Sequence, residues 1–277
     1  MNYRHGFHAG NHADVLKHSL LLALIERLQE KPGGVFLLDT HAGRGHYSLK
    51  GDEAQRTGEW RTGIGRLVGG SVPAPLQGYV ERCTELAGEA GYPGSPLLMA
   101  SCLREQDRMA VCELQEGEFA ALRALLGAHA RVAVHHRDGY EAAPALSPPA
   151  ERRGLILIDP PYELQRDEFA LIERCIATVL ARWTQAVIAL WYPIKQRVAL
   201  RAPFRRLSRL NARQLLALEL LVQADDTPLR LNGSGMLVFN PPWRFAERAA
   251  EILDALAPRL CEAGGGTDST WLKQEAP

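Results

Sequence analysis

Leu155-Ile156-Leu157-Ile158 runs directly into Asp159-Pro160-Pro161-Tyr162. Four apolar residues closed by an acid and a proline turn read as a strand buried on both faces, as a parallel sheet covered by helices requires. The same shape recurs along the chain. Val35 to Asp39 ends on an acid and a glycine loop, Met109 to Leu114 contains Glu113, and Arg131 to His135 precedes Asp138-Gly139. Ala186 to Trp191, Leu216 to Leu221 and Met236 to Phe239 complete the candidate strands. Helical patterns such as Phe119 to Leu126 and Glu168 to Leu180 separate most of them. This alternation predicts an α/β fold with a mostly parallel sheet. The last two strands have no helix between them and are expected to form an antiparallel hairpin.

A first helix is expected from Asn11–Asp14 to Glu30, with Leu16, Leu20, Leu24 and Leu28, beside Leu21 and Ile25, on one apolar face. Pro32-Gly33-Gly34 stops it. About seventy residues then separate the first strand from Met109, far more than the dozen or so a crossover needs. The excess, residues 50–92, reads as a small helical insertion above the ligand-binding edge of the sheet, within one domain spanning 1–277. Helical pieces are expected at Glu59 to Leu67 and Leu76 to Ala90. The polar tail from Gly264 to Pro277 is expected to be loosely held.

Bulk properties exclude several classes. No run of about 18 apolar residues exists to span a bilayer, and Met1 to His5 has no signal-peptide character. The five cysteines form no C-x-x-C pair, which argues against a zinc site or a disulfide framework and for a reducing cytoplasm. No other spacing suggests a metal, the histidines near the N-terminus included. Net charge is zero, but Lys195, Arg197, Arg201, Arg205, Arg206, Arg209 and Arg213 form a stretch without an acid. It reads equally as a phosphate-binding stripe or a solvated face.

The strand ends carry the chemistry. Asp39-Thr40-His41-Ala42-Gly43-Arg44-Gly45 has too few glycines for a dinucleotide fingerprint and no P-loop lysine. Glu113 suits ribose hydroxyls, a logic shared by NAD and S-adenosylmethionine. Asp138 can accept from an adenine amino group, with Gly139 leaving room for the ring. Asp159 and the Pro160 carbonyl offer two acceptors for the hydrogens of a poorly nucleophilic exocyclic amine, and both prolines stiffen that geometry. Tyr162 offers a stacking face for an extruded base. Lys17 and His18 are candidates for the carboxylate of a methionine moiety, and Tyr3 and Arg4 for contacts to nucleic acid. Asn240-Pro241-Pro242-Trp243 repeats the proline pattern, but after the last strand, and is expected to be structural.

The chain resembles the bacterial 23S ribosomal RNA adenine-N(6) methyltransferases over almost its whole length. The carriers are Tyr3-Arg4-His5 through Phe7 to His18, Leu38 to Gly43, Arg56 to Glu59, Tyr92 to Pro96, Leu103 to Asp107, Arg152 to Tyr162, Leu190 to Pro193 and Gly233 to Met236. The resemblance implies a Rossmann-like, seven-stranded class I S-adenosylmethionine-dependent methyltransferase with a small inserted helical subdomain. It implies methylation of one adenine in 23S ribosomal RNA not yet assembled into ribosomes, by a monomer. It makes Asp159 catalytic, assigns the cofactor S-adenosyl-L-methionine to His18, His41, Ser95, Glu113, Asp138-Gly139 and Asp159 with Lys17 nearby, and puts Tyr3 at the RNA. The rival readings are a DNA adenine methyltransferase, for which no separate recognition domain is evident, a nicotinamide-dependent oxidoreductase, and a non-catalytic nucleic-acid-binding protein.

Overall fold

Asn11 starts the first helix, α1 (His12–Gln29): its side-chain oxygen accepts from the Ala13 and Asp14 amides at 2.9 and 3.1 Å, satisfying two donors that a helix leaves unpaired. After β1 (Val35–Asp39) come β2 (His46–Ser48), α2 (Asp52–Thr57), α3 (Ala74–Ala87), β3 (Gly91–Pro93) and α4 (Ser95–Ser101). The second half holds β4 (Arg108–Glu113), α5 (Glu116–Leu126), β5 (Val132–His136), α6 (Gly139–Ala145), β6 (Arg153–Ile158) and α7 (Gln165–Arg182). It closes with β7 (Val187–Ile194), α8 (Arg201–Leu207), β8 (Leu215–Leu221), β9 (Gly233–Phe239), α9 (Phe245–Leu260) and β10 (Gly266–Lys273). This computed structural model describes residues 4–162, 165–226, 228 and 230–274.

The main sheet runs β10-β8-β9-β7-β6-β1-β4-β5. β5, β4, β1, β6 and β7 are parallel neighbours, and β8 and β9 form the expected antiparallel hairpin. Side chains alternate as a doubly covered sheet demands. Leu155 and Leu157 enter the core under α1 and α9, while Ile156 and Ile158 enter the core under α6 and α7. Each such side chain contributes roughly 2 kcal/mol by burial. Strand order reverses at β1, so a crevice opens beyond the carboxyl ends of β1 and β6.

Four expectations change. The seven expected strands are joined by an eighth: β10 pairs antiparallel with β8 along the sheet edge, so most of the tail is a strand rather than a loose end. α1 is buried nearly all round, not on one face, because α9 and the sheet cover one side and α3 and α4 the other. The piece at Glu59 to Leu67 is a pair of 3-10 turns, Glu59–Arg61 and Ile64–Arg66, and the helix after it ends at Ala87. Finally, a short ribbon of β2 and β3, with His46 opposite Pro93, brackets the inserted residues, and α3 leans on α1, α4 and α9.

Candidate active site

A cavity of about 590 Å³ opens at the carboxyl ends of the parallel strands. Lys17, His18, His41, Ser95, Glu113, Asp138, Gly139, Asp159, Pro160 and Tyr162 all line it. One expected residue does not join them: Arg4 is exposed, with its guanidinium 3.5 Å from Glu53. Tyr3, also expected at the RNA, lies outside the described residues.

Asp159 projects from the end of β6. Its Oδ2 accepts from the Lys17 Nζ at 2.6 Å, and the same ammonium reaches Asp14 Oδ1 at 2.8 Å. Asp14 Oδ2 in turn meets His5 Nε2 and the Gly10 amide, both at 2.9 Å. Burial opposes the charge on Lys17, but the carboxylates of Asp14 and Asp159 outweigh it and hold its pKa above the usual lysine value. Lys17 thus faces two carboxylates, and its first effect is on the position of Asp159. Among the described residues only Oδ2 of Asp159 is engaged, which leaves Oδ1 available to a substrate.

Tyr162 holds a left-handed backbone, φ 49°, that is unfavourable for a bulky residue. Its hydroxyl donates to the Trp191 carbonyl at 2.7 Å, and its ring lies between Phe169 and Trp191 at 5.6 and 5.7 Å. It is mostly buried, so much of the expected stacking face already belongs to the core. Trp191 is the residue the sequence reading missed. Trp191, Pro193 and Lys195 all line the cavity while Tyr192 and Ile194 enter the core. The period-two alternation of β7, followed past its last purely apolar residue, was the available signal.

The neighbouring strand ends form a wall suited to a nucleoside joined to an amino acid. Glu113 Oε2 accepts from the Gly43 amide at 2.9 Å and Oε1 from the Gln115 amide at 2.7 Å, which ties the glycine loop to β4 and leaves a lone pair on each oxygen. Burial raises its pKa, and the backbone donors offset only part of that. Asp138 caps α6 by accepting from the Tyr140 amide at 2.7 Å. A Cβ on Gly139 would stand 2.0 Å from the Thr40 carbonyl oxygen, so glycine is required here by the β1 loop itself.

Ser95 donates to the fully buried Asp39 Oδ2 at 2.7 Å, and burial pushes the Asp39 carboxyl up to about 7. This link between β1 and α4 had no counterpart in the sequence reading, which took Asp39 only as a strand end. His41 is neutral, its pKa lowered by burial to about 4. The Thr40 hydroxyl donates to the Leu157 carbonyl and so accepts from His41 Nδ1, at 2.8 Å in each case. The other ring nitrogen of His41 is therefore an acceptor.

His18 is neutral too, lowered by burial to about 3. Its Nδ1 meets the Tyr92 hydroxyl at 2.7 Å, and its buried Nε2 has no partner among the described residues. An orphaned buried nitrogen in a cavity wall calls for a ligand, and with the acceptors of Glu113 and Asp138 it fits S-adenosylmethionine. Among the described residues no cluster of histidine, cysteine and acidic side chains could hold a metal ion.

Asn240 lies at the amino-terminal end of the parallel strands, since Phe239 pairs with Ile188 at the start of β7. Its amide donates to the Thr184 and Ala186 carbonyls and accepts from the Arg213 amide. No atom of that motif faces the cavity.

A family model described as "Ribosomal RNA large subunit methyltransferase D, RlmJ" matches residues 32–273. The proteins named Ribosomal RNA large subunit methyltransferase J from Haemophilus influenzae and Escherichia coli are each 39% identical to this chain, across 99% of it and 100% of their own length. The crystal structure of protein LPL1258 from Legionella pneumophila superposes with a TM-score of 0.85 at 30% identity, covering 95% of this chain and 97% of that one. No helix among the described residues is long and apolar enough to cross a membrane. With its acids at successive strand ends and its match along nearly the whole length, this chain belongs to the RlmJ family of ribosomal RNA large subunit methyltransferases.

Proposed function

We infer that this protein methylates the exocyclic amino group of one adenine in 23S ribosomal RNA, with S-adenosylmethionine as the donor. The observation that carries this reading is the Asp159 carboxylate, with one oxygen unengaged, in the same cavity as the orphaned His18 Nε2 and the acceptors of Glu113. Family membership supplies the substrate class.

Bound in this cavity, S-adenosylmethionine supplies an electrophilic methyl group. Glu113 would accept from its ribose hydroxyls and Asp138 from its adenine amine, and His18, His41 and Ser95 would hold its amino-acid part. Lys17 fixes Asp159 through Oδ2. Asp159 Oδ1 and the Pro160 carbonyl then accept from the two hydrogens of the target amine, favouring a pyramidal nitrogen whose lone pair points at the methyl. The methylated amine is acidic while cationic, so Asp159 orients and stabilises rather than serving as a strong base. The Tyr162 and Trp191 rings bound the space for the base, and Tyr3 and Arg4 are the further RNA contacts that we infer.

The substrate is RNA not yet built into a ribosome, because a base must leave its stack to reach a recessed carboxylate. The enzyme acts as a monomer, as the resemblance implies. Five free cysteines suit the reducing cytoplasm. Tritiated methyl transfer to protein-free 23S ribosomal RNA and to DNA, followed by base mapping, tests the reading. One labelled adenine amine in the RNA is expected. Labelling of DNA instead would overturn it.

A further inference from the structure

The cavity accounts for one nucleotide, but a ribosomal RNA must also be held by its backbone. β7 delivers Trp191, Pro193 and Lys195 to the cavity wall, and the chain then continues without an acidic residue to Arg213. Two of its cations are neutralised locally. Arg197 pairs with Glu219 at 2.7 Å and Arg206 with Glu173 at 2.8 Å. Lys195, Arg201, Arg205 and Arg209 are exposed and make no ion pair or side-chain hydrogen bond among the described residues.

Helix geometry explains the division. Pro203 and Leu207 are the buried residues of α8 and stand one turn apart. At about 100° per residue, Arg201 and Arg205 fall on the opposite side, facing outward, while Arg206 falls on the flank toward α7. Arg209 extends the outward row beyond the helix. The result is a row of unneutralised cations that begins at the cavity mouth and leads away from it.

We propose that Lys195, Arg201, Arg205 and Arg209 form a phosphate track that grips the backbone of the RNA strand leading to the target adenine. This rests on the reading of the cavity as the site of RNA methylation. Phosphates spaced along a strand match a row of cations, and the contact carries no base information. It therefore sets affinity and register, leaving the choice of base to the cavity.

The test combines Arg201→Gln, Arg205→Gln and Arg209→Gln in the full chain, with protein-free 23S ribosomal RNA as the probe. Removing three phosphate contacts should raise Kd and KM roughly tenfold to a hundredfold at physiological salt. The slope of log Kd against log salt should fall by about one per contact. kcat at saturating RNA, the melting temperature and S-adenosylhomocysteine affinity should stay at wild-type values. A charge-matched control, Lys31→Gln, Arg123→Gln and Arg152→Gln, removes exposed cations elsewhere and should leave the slope unchanged. A triple variant with wild-type Kd and slope, or a control that loses as much, overturns the track while methylation stands. A wild-type protein that neither binds nor methylates the RNA overturns the functional reading and the track with it.

Discussion

Asp159-Pro160-Pro161-Tyr162 and Asn240-Pro241-Pro242-Trp243 share one local pattern and sit at opposite ends of the sheet. In the first, the polar residue reaches into a cavity and meets a buried cation, and the aromatic is tucked into the core. In the second, the polar residue satisfies three backbone groups, and Trp243 is 84% exposed. Each has one residue in the left-handed region, Tyr162 at φ 49° and Asn240 at φ 51°. What separates them is strand direction. β6 runs parallel to β1 and ends at the crevice, whereas β9 runs antiparallel to β7 and ends at the far side. The same sequence pattern lines a cavity at one end and acts as a staple at the other.

The largest effect should come from Asp159→Ala. Turnover on ribosomal RNA should fall about 10³-fold, the scale for losing a group that positions charge and protons in a transition state. S-adenosylhomocysteine affinity should change only a few-fold, because the other contacts remain. Near-normal turnover in single-turnover assays would break the contrast at its stronger end. Asn240→Ala should do the reverse. It removes three hydrogen bonds worth about 1 kcal/mol each, and alanine tolerates the left-handed backbone less well, so a stability loss of about 3 kcal/mol is expected. Urea unfolding measures that loss, and kcat should not move. A stable variant with reduced kcat would mean the second copy also serves the reaction.

The smallest effect is a pH dependence confined to the cavity end. His18 and His41 stay neutral when folded, at about 3 and 4, whereas unfolded histidines take up protons near 6.5. Below about pH 6.5 the unfolded state therefore binds more protons, and these two groups cost stability progressively as pH falls toward 4. Asp39 acts in the opposite sense: folded, it keeps its proton up to about 7, so its contribution favours the fold at low pH and fades as pH rises. His12, also lowered by burial to about 4, adds to His18 and His41, while the raised Glu113 and His8 act with Asp39. The three depressed histidines should lower the melting temperature between pH 6.5 and 5. His41→Gln should flatten that slope and Asn240→Ala should not. An unchanged slope in His41→Gln would remove His41 from this account.

Much of this was legible in the chain. Each parallel strand is a short apolar run ended by an acid or a turn, so the order of elements and the placing of Asp159, Glu113 and Asp138 at one edge of the sheet could be read one at a time. What the sequence hid depends on partners far apart. α1 looks one-faced because its second set of partners, α3 and α4, comes more than a hundred ångström of extended chain later. The tail looks loose because β10 is a half-buried edge strand, with Thr267, Asp268, Ser269 and Thr270 giving little apolar signal. Lys17 reads as a partner for a bound carboxylate until Asp159, 142 positions away, is brought to it.

That last pair has a consequence for synthesis. A ribosome releases Lys17 long before Asp159, and the nascent α1 has then only Asp14 to neutralise its buried ammonium. β1 likewise waits for β6, its neighbour on that side. The amino-terminal third can collapse early, but its central helix is neither fully covered nor charge-balanced until the middle of the chain emerges. Chains interrupted before residue 159 should therefore be good substrates for quality-control proteases, and catalytic competence and completed folding arrive together.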